Sequence, residues 1–200
     1  LLKTNYVVSV NSCTDALLLT LAAMGFKKNS EIITVGHTYV ATLAAIKHVG
    51  LNPVLTDISD DYNIDVNKIE KLITKKTKAI LPVHLYGHSC EMSSIMRIAK
   101  KYNLKVIEDC AQSHGATYKG KKAGSIGDVG CYSFYPTKIF GAYGDGGFIT
   151  TNNETVFDRM RRIRFLGMEK KKMSSGHWNG KYYAIEHGTN SRLDEVHAAI

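Results

Sequence analysis

The stretch "AILPVHLYGHSCEMSSIMRIAKKYNLKVIED", residues 79–109, decides the fold. It begins with an apolar run, "AILPVH" (79–84), and ends on a second one, "LKVIED" (104–109). Between them, the apolar residues of "MSSIMRIAKKY" (92–102) recur at helical spacing. A helix between two short strands is typical of parallel strands joined by a right-handed crossover. The stretch therefore predicts a β-α-β unit within a parallel sheet.

The same alternation of strand and helix extends to both sides of this unit. Further strands are predicted at residues 6–10, 31–35, 53–58, 128–135 and 146–151. Further helices are predicted at residues 15–25, 38–50, 65–73 and 153–167. Gly25 and Gly50 stand where two of these helices should end. We expect an α/β fold, a three-layer α/β/α sandwich with a mostly parallel sheet.

Length and composition indicate one globular domain of ordinary type. The chain has 200 residues, of which 44% are hydrophobic and 22% charged, without an apolar run of membrane-spanning length or a signal-peptide layout. The lack of both features favours a cytoplasmic location. The four cysteines form no C-x-x-C pair, which argues against a disulfide framework or a zinc site. The net charge of +8 suits nucleic acid, an acidic membrane surface or a phosphorylated small substrate, and composition does not choose among them.

Both ends of the chain look cut. The sequence starts almost directly on a strand, and "SRLDEVHAAI" (191–200) stops inside a helical pattern without a glycine stop. We therefore expect a fragment whose C-terminal part, and some of its N-terminal part, are missing. The lysine-rich segment "MEKKKMSSGHWNGKYY" (168–183) is predicted to be a mobile loop.

Polar segments follow the predicted strands. They are "NSCTDAL" (11–17), "GHTYVA" (36–41), "EDCAQSHG" (108–115) and "YPTK" (135–138). Because ligands gather at the carboxyl ends of parallel strands, one pocket should hold all of these segments. Thr14 or Asp15 should cap the first helix, whose free amides suit a phosphate group.

Three residues of these segments have ordinary explanations as well as a functional one. Asp109 and Gln112 fit a helix cap and its neighbour, and Lys138 fits a surface lysine. Together with a phosphate site, however, a carboxylate for a ring nitrogen and a lysine that forms an imine are what pyridoxal phosphate requires. His84 and His88 are four residues apart, but the nearby Pro82 and Gly87 argue against a helical metal site, and no metal is predicted.

Several motifs resemble the DegT/DnrJ/EryC1/StrS family of pyridoxal-phosphate-dependent sugar aminotransferases, in the order and spacing of that family. They are "PVHLYG" (82–87), "IEDCAQSHGA" (107–116), "GSIGDVGCYSFYPTK" (124–138), "GAYGDGG" (141–147) and "NSRLDE" (190–195). The resemblance implies the large domain of the aspartate-aminotransferase type, known as fold type I. It also implies that residues 1–200 form a cofactor-binding domain whose smaller C-terminal domain is missing.

The resemblance assigns roles to the polar residues. Lys138 would bond covalently to the cofactor and carry the proton during catalysis. Asp109 would pair with the pyridine nitrogen and keep it protonated, which makes the ring an electron sink. Gln112 would bind the phenolic oxygen of the ring. Tyr39 would stack on the ring face, although packing in the core would explain it equally.

The same resemblance implies how the phosphate is held. Thr14 with the backbone around Cys13, Ser133, and Asn190 from a partner subunit would bind it, so that a homodimer shares its active sites. The family usually has glycine at the position of Cys13. A side chain there is expected to crowd the phosphate, or to strain the backbone if it is left-handed.

The resemblance also suggests a substrate. "KYY" (181–183) resembles the branch of the family that acts on 3-keto sugars, which implies a dTDP-3-keto-6-deoxyhexose as acceptor and L-glutamate as donor. Positive charge for the nucleotide should come from Arg161, Arg162, Arg164 and Lys170, Lys171, Lys172. Nucleic-acid and membrane partners are not predicted. Two alternatives remain open, namely a pyridoxal-phosphate-dependent sugar dehydratase or lyase, and an inactive truncated remnant.

Overall fold

A seven-stranded sheet forms the centre of the computed structural model, which describes residues 2–172 and 178–200. Its strands are β1 (Tyr6–Val10), β2 (Glu31–Val35), β3 (Asn52–Thr56), β4 (Thr77–Ile80), β5 (Lys105–Asp109), β8 (Val129–Ser133) and β9 (Gly147–Thr151). They lie in the order β1-β9-β8-β5-β4-β2-β3. Strand β9 is antiparallel to both of its neighbours, and all other pairs are parallel.

Helices cover both faces of this sheet. They are α1 (Cys13–Met24), α2 (Val40–His48), α3 (Val66–Ile69), α4 (Met92–Tyr102), α5 (Glu154–Ile163) and α6 (Glu195–Ala199). The chain crosses toward the β3 edge through α1 and α2, and in the opposite direction through α4. Right-handed crossovers therefore put α4 on the other face of the sheet from α1 and α2. The predicted α/β sandwich with a mostly parallel sheet is confirmed.

Two short antiparallel pairs lie outside the main sheet. One pairs β6 (Thr117–Tyr118) with β7 (Lys121–Lys122), and the other pairs β10 (Met168–Lys172) with β11 (Trp178–Ala184). The prediction of a mobile loop over residues 168–183 is therefore wrong for β10 and β11, and residues 173–177 lie outside the described part of the chain. Within residues 2–172 and 178–200, every helix is too short or too polar to be a membrane span.

The core lies between the sheet and its helices. Strand β5 shows why these residues form a central strand, because Val106 and Ile107 are both fully buried between strands on either side. Helix α1 packs Leu17, Leu19 and Leu21 into the same core. This burial supplies most of the stabilisation that an α/β domain needs.

The order of the strands creates a crevice. Strands β2 and β4 are neighbours, but the chain leaves β2 toward one edge of the sheet and leaves β4 toward the other. The loops that follow the two strands therefore diverge at their carboxyl ends. Such a switch point is where open α/β sheets bind their ligands.

Candidate active site

A cavity of about 410 Å³ opens at the carboxyl ends of the strands. Pockets that bind cofactors and small substrates are of this size. The predicted site residues that line it are Cys13, Thr14, Tyr39, Asp109, Gln112, Ser133 and Lys138. The structure thus brings together side chains from segments that are far apart in sequence, as the argument from parallel strand ends predicted.

Asp109 is the last residue of β5 and is 4% exposed. Its Oδ1 accepts a hydrogen bond from the Ala111 amide at 3.1 Å, and its Oδ2 accepts one from the Thr42 hydroxyl at 2.9 Å. No helix directly follows Asp109 among the described residues, so the alternative of a helix cap is wrong, and these contacts stabilise the turn after the strand instead. The carboxylate nevertheless retains lone pairs for a ligand in the cavity, since each oxygen accepts two or more hydrogen bonds when ionised.

Burial dominates the electrostatics of Asp109. It raises the pKa of this carboxyl above its ordinary value, while the Ala111 amide, the Thr42 hydroxyl and the electrostatic effects of His84 and Lys138 oppose the rise. None of the salt bridges in the described residues involves Asp109. A buried carboxylate of this kind gains most from a cationic hydrogen-bond donor, which would stabilise its charged form.

Lys138 follows β8 and lies half-buried in the wall of the cavity. Its backbone amide donates to the Tyr135 carbonyl at 2.8 Å, which turns the chain back toward the sheet. The positive charge of its amine opposes the rise in pKa that burial causes at Asp109 and Cys13, and adds to the fall in pKa that burial causes at His114. The amine of Lys138 therefore lies close enough to the buried Asp109 carboxylate to affect it electrostatically, and both line the same cavity.

Gln112 is oriented by a neighbouring loop. Its Oε1 accepts a hydrogen bond of 2.7 Å from the backbone amide of Tyr86, a residue with a left-handed backbone (φ 54°). Because the carbonyl oxygen is engaged in this way, the NH₂ group of Gln112 is left to donate to an acceptor in the cavity. This arrangement suits the predicted partner, an oxygen substituent on a ring.

The amino end of α1 forms another wall of the cavity. Ser12 caps the helix, since its Oγ accepts from the Asp15 amide at 3.1 Å, so the prediction of Thr14 or Asp15 as the cap is wrong. The amides of Cys13 and Thr14 then belong to the first turn, which has no acceptors within the helix. Free amides at the positive end of a helix favour a phosphate group.

The expected backbone strain at Cys13 is also absent. Cys13 is the first helical residue of α1 and does not have a positive φ, so it has no conformational need for glycine. Its side chain is 9% exposed, and burial raises the pKa of the thiol well above its ordinary value. The residue is therefore a neutral thiol at the edge of the proposed phosphate site.

Two further residues complete this end of the cavity. Ser133, the last residue of β8, is 5% exposed, and its hydroxyl accepts a hydrogen bond from the Tyr135 amide at 3.2 Å. Gly147 begins β9 directly against the helix, because a Cβ atom there would stand 3.0 Å from the Cys13 nitrogen. A side chain at position 147 would push the strand away from the amino end of α1.

Tyr39 precedes α2 at the mouth of the cavity. Its side chain is 74% exposed, so packing in the core, the alternative explanation for this residue, does not apply. An aromatic ring that is left exposed beside a cavity is available to stack on a flat ligand.

Asn190 does not line the cavity of its own chain. It is exposed, and its backbone forms an isolated antiparallel β-bridge with Phe165. Its side-chain Oδ1 accepts a hydrogen bond from Arg192 Nε at 3.1 Å. Its predicted contact with a partner subunit remains a prediction.

The arginines expected to supply positive charge have other partners. Arg162 Nε donates to Glu186 at 2.6 Å, and Arg164 Nη1 donates to the Ser9 carbonyl at 2.7 Å. Burial lowers the pKa of Arg164, and the positive charges of Arg161 and Arg192 lower it further. Neither arginine lines the cavity, and their predicted contribution of positive charge near the site stays a prediction. The side chains of residues 170–172 lie outside the described part of the chain.

His84 and His88 do not share a site. Buried His84 donates from Nε2 to Glu108 at 2.8 Å, and its Nδ1 accepts from the Cys90 amide at 3.1 Å. His88 is exposed, and its Nε2 lies 3.3 Å from Asp61 Oδ2. Although His84, Glu108 and Cys110 are close together, the nitrogens of His84 and the oxygens of Glu108 are all engaged in hydrogen bonds.

Besides the cap Ser12, sequence reasoning missed two threonines of the cavity and a residue that orients Gln112. Thr38 and Thr42 line the cavity, and Thr42 bonds to Asp109; Tyr86 orients Gln112. The signal for the threonines was their spacing of four residues at the start of a predicted helix, which places both on one face. No pattern in the sequence shows that this face meets β5.

The comparisons with known proteins agree with this geometry. Residues 1–200 match the DegT/DnrJ/EryC1/StrS aminotransferase family over their whole length. The chain belongs to this family. Members of the family depend on pyridoxal phosphate.

Curated relatives and a solved structure give the extent of the similarity. The dTDP-3-amino-3,6-dideoxy-alpha-D-galactopyranose transaminase of Aneurinibacillus thermoaerophilus is 50% identical over 98% of this chain and 51% of its own length. The dTDP-3-amino-3,4,6-trideoxy-alpha-D-glucose transaminase of Micromonospora megalomicea subsp. nigra is 42% identical over 98% of this chain and 50% of its own. The chain thus spans about half the length of these relatives.

A crystal structure of the Bacillus subtilis protein NtdA, which has the cofactor PMP bound, superposes with a TM-score of 0.87 and 38% identity. The superposition covers 99% of this chain and 43% of the NtdA chain. The family assignment therefore extends to the fold, which is that of the pyridoxal-phosphate aminotransferases of fold type I.

The residues of the cavity fit the family's cofactor. A buried carboxylate that forms no salt bridge among the described residues suits a protonated ring nitrogen, and the NH₂ group of Gln112 suits the phenolic oxygen. The free amides at the start of α1 suit a phosphate. Lys138 supplies the amine that a covalent link requires.

Proposed function

We propose that the protein is a pyridoxal-phosphate-dependent aminotransferase that transfers an amino group to a nucleotide-linked keto-deoxyhexose. The observation that carries the proposal is the meeting of Lys138 and buried Asp109 in one cavity, with the amino end of α1 as its wall. The ordinary explanations, in which Lys138 is a surface lysine and Asp109 a helix cap, give no reason for the two side chains to line the same cavity.

Each residue has a definite task in this proposal. The cofactor, when bound, supplies an electron sink that acidifies the C–H bond next to the amino group. The Asp109 carboxylate holds a proton at the ring nitrogen, and Gln112 donates to the phenolic oxygen. Tyr39 stacks on the ring and keeps water from one face. Lys138 binds the cofactor covalently at rest and then moves the proton at the reacting carbon of the substrate.

The phosphate of the cofactor would bind at the other end of the cavity. The amides of Cys13 and Thr14, the Thr14 hydroxyl and the Ser133 hydroxyl would bind it, since these three residues line the cavity. The positive end of α1 favours the phosphate charge. The neutral Cys13 thiol would stand where most of the family has glycine, so it narrows this site without adding charge.

The proposed acceptor is a dTDP-3-keto-6-deoxyhexose, and the proposed donor is L-glutamate. The acceptor is supported by the names of the two relatives, both of which are transaminases of dTDP-3-amino sugars, and by "KYY" at residues 181–183. The donor is supported by the family resemblance alone.

The assembly belongs to the same proposal. Residues 1–200 would form the cofactor-binding large domain, and two copies would share their active sites through Asn190. We also propose a cytoplasmic location, which the four free cysteines support because disulfides are rare in that compartment.

The alternatives differ from this proposal at one residue or one property. In the family's dehydratase branch a histidine replaces the lysine that binds the cofactor, so Lys138 counts against that activity. An inactive remnant would retain the fold and lack stable cofactor binding. No observation of the structure favours either alternative.

Covalent labelling tests the proposal directly. The chain is incubated with pyridoxal phosphate, reduced with borohydride, digested and mapped by mass spectrometry. A pyridoxyl adduct on Lys138 is expected. Lys105→Arg is the matched control, because Lys105 is paired with Asp128 at 2.8 Å and should leave the adduct unchanged. An adduct on other lysines, with Lys138 unmodified, contradicts the assignment.

The substrate is tested with the complete protein and the absorption spectrum of the bound cofactor. L-Glutamate should bleach the band of the lysine-bound cofactor, and a dTDP-3-keto-6-deoxyhexose should restore it. Restoration by the 4-keto isomer alone overturns the 3-keto assignment and leaves the aminotransferase class intact. Restoration by pyruvate or oxaloacetate alone removes the sugar assignment.

A further inference from the structure

Two threonine hydroxyls connect the cavity to Asp109. Thr42 Oγ1 donates to Asp109 Oδ2 at 2.9 Å, and Thr38 Oγ1 lies 2.8 Å from Thr42 Oγ1. Thr42 is 1% exposed, whereas Thr38 is half-buried, and both line the cavity. The three side chains therefore form an unbroken chain of hydrogen bonds that runs from the wall of the cavity into the sheet.

The direction of this chain follows from the charge at its end. An ionised carboxylate only accepts hydrogen bonds, so the single hydroxyl hydrogen of Thr42 points at Asp109. The Thr42 oxygen can then only accept from Thr38, and Thr38 must donate. Hydrogen bonds aligned in one direction polarise one another, so Thr38 strengthens the bond that Thr42 makes to the carboxylate.

We propose that Thr42, oriented by Thr38, is a positioning residue that holds Asp109 in its ionised form and in the rotamer that faces the ring nitrogen. This inference rests on the proposed function, which requires a carboxylate at that nitrogen. It adds to that function the means by which a carboxyl group so deeply buried keeps its charge.

The need for such support follows from burial. Desolvation of Asp109 favours the neutral acid, and a neutral acid does not stabilise a protonated ring nitrogen. The titratable groups that act on this carboxyl are Lys138, His84, Cys13, Cys110 and Cys131. Burial raises the pKa of all three thiols, so they remain neutral. Against burial, the ionised form thus has the Ala111 amide, the Thr42 hydroxyl and the electrostatic effects of His84 and Lys138.

The test replaces Thr42 with valine, which keeps the branched shape and removes the donor. The titration of the Asp109 carboxyl is followed in the cofactor-free protein by ¹³C NMR, with Asp109→Asn used to assign the signal. In Thr42→Val the midpoint should move to higher pH than in the wild type. Thr38→Val should move it in the same direction by less, because the direct hydrogen bond survives.

Thr34→Val is the matched control. Thr34 is also fully buried, and its hydroxyl donates to the Leu81 carbonyl at 2.8 Å instead of to Asp109. The variant should lose stability much as Thr42→Val does, and should leave the Asp109 midpoint unchanged. Thr42→Ser, which restores the donor, should return the midpoint toward the wild type. A structural effect alone would not give this pattern.

A second measurement uses pyridoxal phosphate as the probe. The affinity of Thr42→Val for the cofactor should fall by about tenfold or more, since a hydrogen bond to a charged group is lost. The loss should be smaller at low pH, where Asp109 is neutral in both proteins. Thr34→Val should bind as the wild type does.

The outcomes separate this inference from the proposed function. If the midpoint in Thr42→Val and in Thr38→Val equals that of the wild type, the positioning role is wrong, whether or not the cofactor binds. If the midpoint shifts as expected but the wild type takes up no pyridoxal phosphate, the hydroxyl chain stands and the proposed function is wrong.

Discussion

Replacing Glu108 with glutamine should destabilise the protein strongly, although the two side chains have nearly the same size and shape. Glu108 is fully buried on β5. Its Oε1 accepts from the amides of Ile126 at 2.8 Å and Gly127 at 2.6 Å. Its Oε2 accepts from the Gly124 amide and from His84 Nε2, both at 2.8 Å. Four donors thus converge on one carboxylate.

A carboxamide cannot accept from all four donors. If its oxygen faces Ile126 and Gly127, its NH₂ group faces the Gly124 amide and His84. A change of tautomer would let His84 accept, but the ring would then lose the acceptor that its Nδ1 offers to the Cys90 amide at 3.1 Å. If the amide is flipped, the amides of Ile126 and Gly127 face the NH₂ group instead. In every arrangement at least two donors, buried or part-buried, lose their acceptors.

The magnitude follows from this count. Each buried donor left without a partner costs about 1–3 kcal/mol, so the free energy of unfolding should fall by roughly 2–6 kcal/mol. The whole stability of a domain is about 5–15 kcal/mol, so this loss is a large share of it. The change should appear as a lower urea midpoint with a nearly unchanged slope.

The dependence on pH has a definite sign. Burial disfavours the charged form of Glu108, but the hydrogen bond from His84 and the amides of Gly127 and Gly124 outweigh it and hold its pKa below the ordinary value. A folded-state pKa below the unfolded one gives stability that is present above the unfolded value and is lost as pH falls through the folded value. The wild type should therefore lose this contribution in acid, and Glu108→Gln should lack it at every pH.

Urea unfolding at neutral and acidic pH measures both effects. Glu70→Gln is the control, because Glu70 also binds two donors, Lys101 at 2.6 Å and Tyr102 at 2.8 Å, but at an exposed site. That variant should unfold almost as the wild type does, since exposed pairs contribute little. A Glu108→Gln protein whose unfolding free energy lies within about 1 kcal/mol of the wild type would refute the count of unpaired donors.

Three further predictions concern the complete protein. Asp109→Asn should still bind pyridoxal phosphate but slow transamination by about 100-fold or more, measured as half-reaction rates, because an amide does not hold the ring nitrogen protonated. Tyr39→Ala should weaken cofactor binding by about fivefold in a fluorescence titration, the equivalent of about 1 kcal/mol of stacking, with an unchanged Tm because the ring is 74% exposed. Mixing inactive Asn190→Ala with inactive Lys138→Ala should restore activity, since one site of the mixed dimer is intact only if Asn190 acts across the interface.

The fold could be predicted because its elements carry strong local patterns. Helix α4 was predicted at residues 92–102 and lies at Met92–Tyr102, since its apolar residues repeat at helical spacing and Asn103 ends it in a left-handed conformation. The β10–β11 pair could not be predicted, because its lysine-rich sequence lacks an alternating apolar face. Its strands are held by pairing with each other, which a sequence pattern does not show.

The site was predictable to the extent that strand ends determine it. Asp109 ends β5 and Lys138 follows the neighbouring strand β8, so a parallel sheet brings them together whatever lies between them. Thr42 could not be found in this way, because it contacts Asp109 across 67 residues of sequence through the packing of α2 on the sheet. Ser12 was missed for another reason. Serine, threonine and aspartate all cap helices, and the exact start of the helix decides among them.

The two adjacent carboxylates of β5 explain why the site lies on one side of the strand. Glu108 and Asp109 point to opposite faces, as consecutive residues of a strand must. Glu108 accepts four hydrogen bonds from the protein, so its lone pairs are filled and it serves the structure. Asp109 accepts two hydrogen bonds, and its remaining lone pairs are available in a cavity that the amine of Lys138 also lines. A buried carboxylate with free lone pairs lowers the stability of the fold unless a cationic ligand binds to it. Such a carboxylate is therefore expected only where a ligand binds.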